Sequence, residues 1–387
     1  MTETRTEPLK ILVGCDTFTP NINGAARFAE RLAAGLVERG HDVHIAAPAA
    51  TFTTHGRYRE VVEGQEMTVH RLPSWRLLMH EWVRFVLPWR VDHYVRQLLD
   101  SVQPDVIHIQ SHIIIGRALS KEAKKRGIRL IATNHVMPEN IVDLWSMPLW
   151  LRRLCVKWGW HDADSVLRRA DGITTPTRRA ADFLERSTPR TGVLPVSCGL
   201  DASQYVADLS ERTEKRVVFV GRMTQEKHVD VLLRAVARLD AEVGLDLVGP
   251  GDQLPALEKL ASELGVRERV VFHGRASDET LRATLTKGSV FAIASIAELQ
   301  SIATMEAMAS GLPIVAANAM ALPHLVTVGQ NGFLFEPRDD AELATHLKHI
   351  LSLPHEEFQA MQKASLEAVK VHDINNTLDR FEELYRG

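Results

Sequence analysis

Two carboxylates, Glu298 and Glu306, have seven residues between them in the stretch Glu298-Leu299-Gln300-Ser301-Ile302-Ala303-Thr304-Met305-Glu306-Ala307-Met308-Ala309-Ser310-Gly311-Leu312-Pro313. The apolar run Ser289 to Ile296 before it reads as a buried strand. From Ser301 the pattern is helical, and it stops at Gly311-Leu312-Pro313, a Gly followed by a Pro. Glu298 therefore belongs to the loop at the strand's carboxyl end, and Glu306 sits about a turn and a half into the helix. Helical side chains lean towards the N-terminus, so the two acids can share one crevice. Between them the amides from Ser301 to Ala303 have no helical partner and can receive an anion. Acids on either side of a phosphate-sized donor nest point to hydroxylated groups flanking a phosphate, as in a nucleotide-sugar. The alternative is a solvated acidic loop followed by an ordinary amphipathic helix.

The elements that must position these groups repeat one pattern. Lys10 to Cys15 reads as a strand, followed by a loop with Asn23 and Gly24, a helix with apolar Phe28, Leu32 and Leu36, and a strand at Val43 to Pro48. That is a βαβ unit of a parallel sheet, without the Gly-x-Gly-x-x-Gly spacing of a dinucleotide enzyme. Strands at Pro104 to His112 and Ile128 to His135 each end in a histidine, His112 and His135, where open α/β sheets keep their ligands. The chain then restarts at Arg216-Val217-Val218-Phe219-Val220-Gly221-Arg222, with Glu226 and Lys227 just beyond. Arg222 and Lys227 put two cations just past a strand end, the Arg able to bind bidentately and the Lys as a point charge, or they are simply a pair of surface bases. Further strands end at Gly249 and at His273-Gly274.

Glu-x7-Glu followed by Ala-Met-Ala-x-Gly-x-Pro resembles the signature of the retaining glycosyltransferase family 4, which includes bacterial phosphatidylinositol mannosyltransferases and diacylglycerol glycosyltransferases. The resemblance covers nearly the whole chain and is sharper in its second half. It implies an α/β fold of the GT-B type, two Rossmann-like domains facing across a cleft. Residues 1–194 would form the acceptor-side domain, residues 195–369 the nucleotide-sugar domain, and a C-terminal helix at about 370–387 would cross back. It further implies that Glu298 and His135 contact the transferred sugar, that Glu306 holds the ribose, and that Arg222 and Lys227 bind the diphosphate. Gly24, Gly221, Gly249, His273, Gly274, Gln300, Ser301, Ile302 and Ala303 would complete the donor site. Asn23, His112 and Glu139 fall on the acceptor side, although Val136-Met137-Pro138 departs from the family pattern beside Glu139, as Cys198 does at the interdomain crossing. No metal or other cofactor is expected. The reaction implied is transfer of a hexose (mannose, glucose or galactose) from a GDP- or UDP-sugar with retention of configuration.

Composition sets the outer limits. The 387 residues suit two domains, and 46 basic against 49 acidic residues exclude wholesale nucleic-acid binding. Three cysteines, Cys15, Cys155 and Cys198, without metal spacing and a polar N-terminus read as a cytoplasmic protein. No run approaches the roughly 18 apolar residues that span a bilayer. All seven tryptophans fall in two stretches, 71–99 and 144–160, interleaved with Arg and Lys. Read as amphipathic helices, these would suit an anionic membrane surface, and so a peripheral location on the inner face and a lipid acceptor. Helices packed on a sheet with snorkelling arginines would show the same composition. The open alternatives are a soluble acceptor such as an inositol phosphate or a sugar, a non-catalytic nucleotide-sugar binder, and a dehydrogenase or epimerase.

Overall fold

The structure, a computed structural model, describes residues 7–387 apart from 22, 52, 78–79 and 143–146, and without the side chains of 77, 80–83 and 140–141. The chain divides into two compact units, Met1–Gly199 with Ile374–Gly387, and Leu200–Asp373.

The N-terminal unit begins with β1 (Lys10–Gly14), α1 (Gly24–Glu38) and β2 (Asp42–Pro48). Phe28, Leu32 and Leu36, one helical turn apart, are fully buried and fasten α1 to the sheet. Next come β3 (Gly56–Val62) and β4 (Gln65–Leu72), an antiparallel pair turned by Glu63 and Gly64, both at positive φ, the signature of a tight type I′ hairpin. The 71–99 stretch is not a pair of helices. It holds a second hairpin, β5 (Ser74–Leu77) and β6 (His80–Val86), and then α2 (Pro88–Val102). Trp75, Trp82 and Trp89 therefore fall on three different elements, and their even spacing marks no helical face. Pro73 and Pro88 bracket the hairpin, and Pro88 takes the first position of α2, where a missing N–H costs nothing.

The unit continues through β7 (Val106–Ile109), α3 (Ile115–Arg126), β8 (Arg129–Thr133), α4 (Pro138–Val142), α5 (Leu149–Leu167), β9 (Gly172–Thr175), α6 (Arg178–Ser187) and β10 (Leu194–Pro195). Among the described residues its sheet has eight strands in the order β10-β9-β8-β7-β1-β2-β4-β3, parallel except for β3.

The C-terminal unit runs β11 (Arg216–Val220), α7 (Val229–Ala237), β12 (Gly244–Val248), α8 (Leu254–Glu263), β13 (Val270–Gly274), α9 (Asp278–Lys287), β14 (Val290–Ile293), α10 (Ile302–Ala309), β15 (Ile314–Ala317), β16 (Gly332–Phe335), α11 (Asp340–Leu351) and α12 (His355–Val369). Its six described strands are all parallel, in the order β13-β12-β11-β14-β15-β16. The last helix, α13 (Ile374–Arg386), belongs to the N-terminal unit. It buries Leu378, Phe381 and Tyr385 there, each contributing about 2 kcal/mol of apolar burial. Arg39 and His41, beyond α1, each reach Glu382 of α13 at 2.6 Å.

Candidate active site

In the C-terminal unit the strand order reverses between β11 and β14, so the loops leaving their carboxyl ends diverge and open a crevice. Those two loops carry the charged residues. Backbone bonds tie them together: the Ile296 amide donates to the Glu226 carbonyl at 3.2 Å, and the Ser295 hydroxyl to the same oxygen at 3.4 Å. Lys227 Nζ consequently meets Glu298 Oε1 at 2.5 Å, with the two side chains only 15% and 12% exposed. Arg222 Nη2 stands 3.6 Å from Glu226 Oε1, which also accepts from the Thr224 hydroxyl at 2.7 Å. Each cation is thus matched with an acid from these loops.

Ser301 is the N-cap of α10, one residue later than the sequence pattern suggests. Its Oγ accepts from the Thr304 amide at 3.2 Å and from the Thr304 hydroxyl at 2.8 Å. Ile302 and Ala303 then occupy the first turn, where no intrahelical carbonyl reaches their amides. Glu306 is buried further along the helix and accepts from the Tyr205 hydroxyl at 2.9 Å. Gln300, also buried, has its amide nitrogen 3.5 Å from His372 Nδ1.

Glycines let three strand ends close up beside this crevice. The Gly221 amide donates to Val248 and the Gly249 amide to Gly274, both at 2.9 Å. Gly249 has φ +137°, and a Cβ there would lie 2.0 Å from the Gly221 carbonyl oxygen. The His273 ring bonds Asp246 at 2.8 Å, and Asp246 also takes Arg216 at 2.7 Å. The His273 side chain is therefore held within the sheet edge.

In the N-terminal unit the reversal falls between β1 and β7. Asp16, just after β1, accepts from the amides of Ile114 at 3.2 Å and Ile115 at 2.8 Å, and from the Ser111 hydroxyl. It thereby caps α3 and pins the loop that carries His112. Asn23 is the N-cap of α1, accepting from the Ala26 amide at 2.9 Å and donating to Thr17 at 2.7 Å, and Gly24 is the first residue of that helix. Glu139 accepts from Trp160 Nε1 at 3.0 Å. Among the described residues its second oxygen is buried without a hydrogen-bond partner, and the His112 side chain is buried beside Asn134. His135 sets its ring 4.8 Å from that of Phe28 and its Nε2 3.1 Å from Gln110 Oε1. Burial holds the His135 pKa down at about 4, so the ring is neutral near pH 7.

Residues 22–204 match the family described as Glycosyltransferase Family 4, and residues 214–352 match Glycosyl transferases group 1. The chain belongs to glycosyltransferase family 4. An alpha-monoglucosyldiacylglycerol synthase of Streptococcus pneumoniae is 23% identical to this transferase over 349 residues, spanning 86% of this chain and 76% of its own length. A GDP-mannose-dependent alpha-mannosyltransferase of Mycobacterium tuberculosis is 26% identical over 357 residues, spanning 88% of each chain. Among solved structures, HepE of Anabaena in complex with UDP and glucose has a TM-score of 0.78 at 18% identity, covering 97% of this chain and 98% of that one. The transferase has the GT-B fold of such enzymes.

Several groups that shape the transferase's two crevices carry no local signal in the sequence. Asp16 and Tyr205 act on residues 95 or more positions away. His108, in the middle of β7, is fully buried. An Asp-x-Asp triplet, Asp162 to Asp164, also escapes the sequence reading. It lies in α5, where Asp162 pairs with Arg117 and Asp164 with Arg190 at 2.7 Å.

Proposed function

We propose that this transferase moves a hexose from a GDP- or UDP-sugar to an acceptor hydroxyl with retention of configuration, and that the acceptor is a membrane lipid. The observation that carries the donor half is the Lys227–Glu298 pair beside the open first turn of α10, at the reversal of a parallel sheet. A diphosphate arriving there takes over Lys227, and Glu298, released, is left to accept from sugar hydroxyls. Arg222, Lys227 and the amides of Ile302 and Ala303 stabilise the charge that develops as the bond from the anomeric carbon to phosphate breaks. The electron pair stays on the leaving phosphate oxygen. The acceptor oxygen bonds to the anomeric carbon on the same face, and its proton passes to that phosphate oxygen. His135 orients the sugar and Glu306 the ribose; no metal ion is invoked. The relatives named for GDP-mannose and for a glucosyl lipid, and the UDP complex of HepE, support this choice of donors and acceptor.

The lipid half rests on α5. Trp150, Leu154 and Trp158 recur one turn apart and are 65%, 57% and 69% exposed. Arg153 and Lys157, also exposed, run beside them, and no acidic residue occurs from Leu149 to His161. An apolar ridge flanked by cations suits the interface of an anionic bilayer. Trp145 lies outside the described residues. No helix among the described residues is long and apolar enough to cross a membrane.

A thermal-shift panel of GDP, UDP and their hexoses tests the donor, because only a bound nucleotide raises the transition. No shift with any of them sinks the donor assignment. Flotation with phosphatidylcholine vesicles, with and without phosphatidylglycerol, tests the lipid. Failure to float at low salt would turn the acceptor into a soluble polyol.

A further inference from the structure

His108 presents a physical puzzle. It occupies a central parallel strand, where a buried imidazole has to find partners for both ring nitrogens or be left costly and unsatisfied. Both are engaged. Nδ1 lies 2.7 Å from the Tyr385 hydroxyl of α13, and Nε2 lies 2.7 Å from the Thr133 hydroxyl of β8. Thr133 in turn meets the Thr174 hydroxyl of β9 at 2.6 Å. A third group approaches: the amide nitrogen of Gln110, two residues along the chain, is 3.3 Å from His108 Nε2. The other end of that same amide, Oε1, faces His135 Nε2 at 3.1 Å. Burial keeps both rings neutral, His108 down to about 3 and His135 down to about 4.

Neutral rings carry one N–H each, so the positions of the two protons are coupled. At His108 Nε2 the Gln110 N–H arrives, and Thr133 can donate there while receiving from Thr174. That nitrogen is then the bare one, and the proton sits on Nδ1, donated to the Tyr385 oxygen. Gln110, fixed amide-nitrogen inward, turns its carbonyl to His135. A carbonyl only accepts, so His135 holds its proton on Nε2 and leaves Nδ1 as a lone pair. Reversing the proton on His108 would make Nε2 a donor, turn the Gln110 amide over, and move the proton of His135 to Nδ1.

We propose that His108, clamped between Tyr385 and Thr133, is a positioning residue that sets through the Gln110 amide which nitrogen of His135 is free to accept a hydroxyl of the transferred sugar. This rests on the reading of His135 as a sugar contact. The bland role, a core histidine that only fastens α13 to the sheet, predicts no effect of His108 on the proton of His135.

The test is the tautomer itself, read from the ring-nitrogen chemical shifts of ¹⁵N-histidine-labelled full-length protein, with assignments from His108→Gln and His135→Asn. The wild type should show His135 protonated at Nε2 and His108 at Nδ1. Tyr385→Phe removes the acceptor on Nδ1, so both tautomers should switch and the kcat of transfer should fall about tenfold, the worth of one directed hydrogen bond. Should that variant fail to fold, Gln110→Leu breaks the link without touching α13, and His135 should then lose its single tautomer. Unaltered His135 shifts in folded Tyr385→Phe or Gln110→Leu, or a wild type with His135 protonated at Nδ1, would overturn the proposal. If instead His135→Asn transfers sugar at the wild-type rate, the sugar-contact reading fails, whatever the tautomers show.

Discussion

Replacing Lys227 by Met keeps most of the aliphatic stem and removes the charge, and the structure specifies two separate consequences. In the donor-free protein Glu298 loses its partner at 2.5 Å while remaining largely buried, its side chain 12% exposed. Leaving such a group short of a partner costs about 1–3 kcal/mol. For a domain of this size that lowers the transition by about 2–4 °C per kcal/mol. During transfer the same substitution removes a donor aimed at the developing phosphate charge. Losses of this type are about 3–4 kcal/mol, or on the order of 10²–10³ in kcat. The double variant Lys227→Met/Glu298→Gln separates the two effects, because neutral Gln no longer needs the cation. It should recover most of the lost stability and none of the lost turnover. Differential scanning calorimetry and kcat at saturating donor are the measurements. Turnover within about threefold of wild type, well under 1 kcal/mol, would refute the assignment of Lys227 to the leaving group. A double variant as unstable as the single one would refute the role given to the ion pair.

Further outcomes follow from burial and close approach. His108 titrates near 6.5 when unfolded but only at about 3 when folded, so the unfolded chain binds the extra proton between these values. The contribution is intact above pH 6.5 and is lost as pH falls, by about 1.4 kcal/mol per pH unit. Urea unfolding of His108→Gln at pH 7 and pH 5 should show a correspondingly flatter dependence, and an unchanged slope would count against a neutral buried ring. Gly249→Ala must fit a Cβ 2.0 Å from the Gly221 carbonyl at φ +137°. It should lose about 3 kcal/mol or more, together with the thermal shift produced by nucleotide. Cys15 and Cys198 are buried, and burial pushes the Cys15 thiol up and Cys198 up to about 12, whereas Cys155 is half-buried. Ellman's reagent should therefore find one reactive thiol in the native protein and three after unfolding; rapid labelling of Cys198 would contradict the packing.

What could be read from the amino-acid order depended on how far each signal travels along the chain. The stretch from Glu298 to Pro313 announces itself because its strand, cap, helix and stop are all decided by neighbours within a few residues. The βαβ repeat is legible for the same reason. Residues 56–72 carry a local turn signal at Glu63-Gly64, but Arg57 to Val62 does not alternate polar with apolar, so the hairpin there goes unassigned from sequence. The tryptophans at 75, 82 and 89 misled, since even spacing resembles a helical stripe even when prolines have already cut the segment into a hairpin and a helix. His108 lies beyond such reading altogether: its partner Tyr385 is 277 residues away. A lone histidine in an apolar run does not say whether it is a passenger or a hub.

The return of α13 to the N-terminal unit has a bearing on how the protein is made. The unit whose synthesis starts before the other is also completed after it, because Leu378, Phe381 and Tyr385 follow the whole of Leu200–Asp373 in the chain. Until then its apolar seam and the nitrogen of His108 that awaits Tyr385 stay uncovered, a nascent state suited to chaperone engagement. A premature stop just after Asp373 would spare the nearer unit and cripple the one most distant in translation.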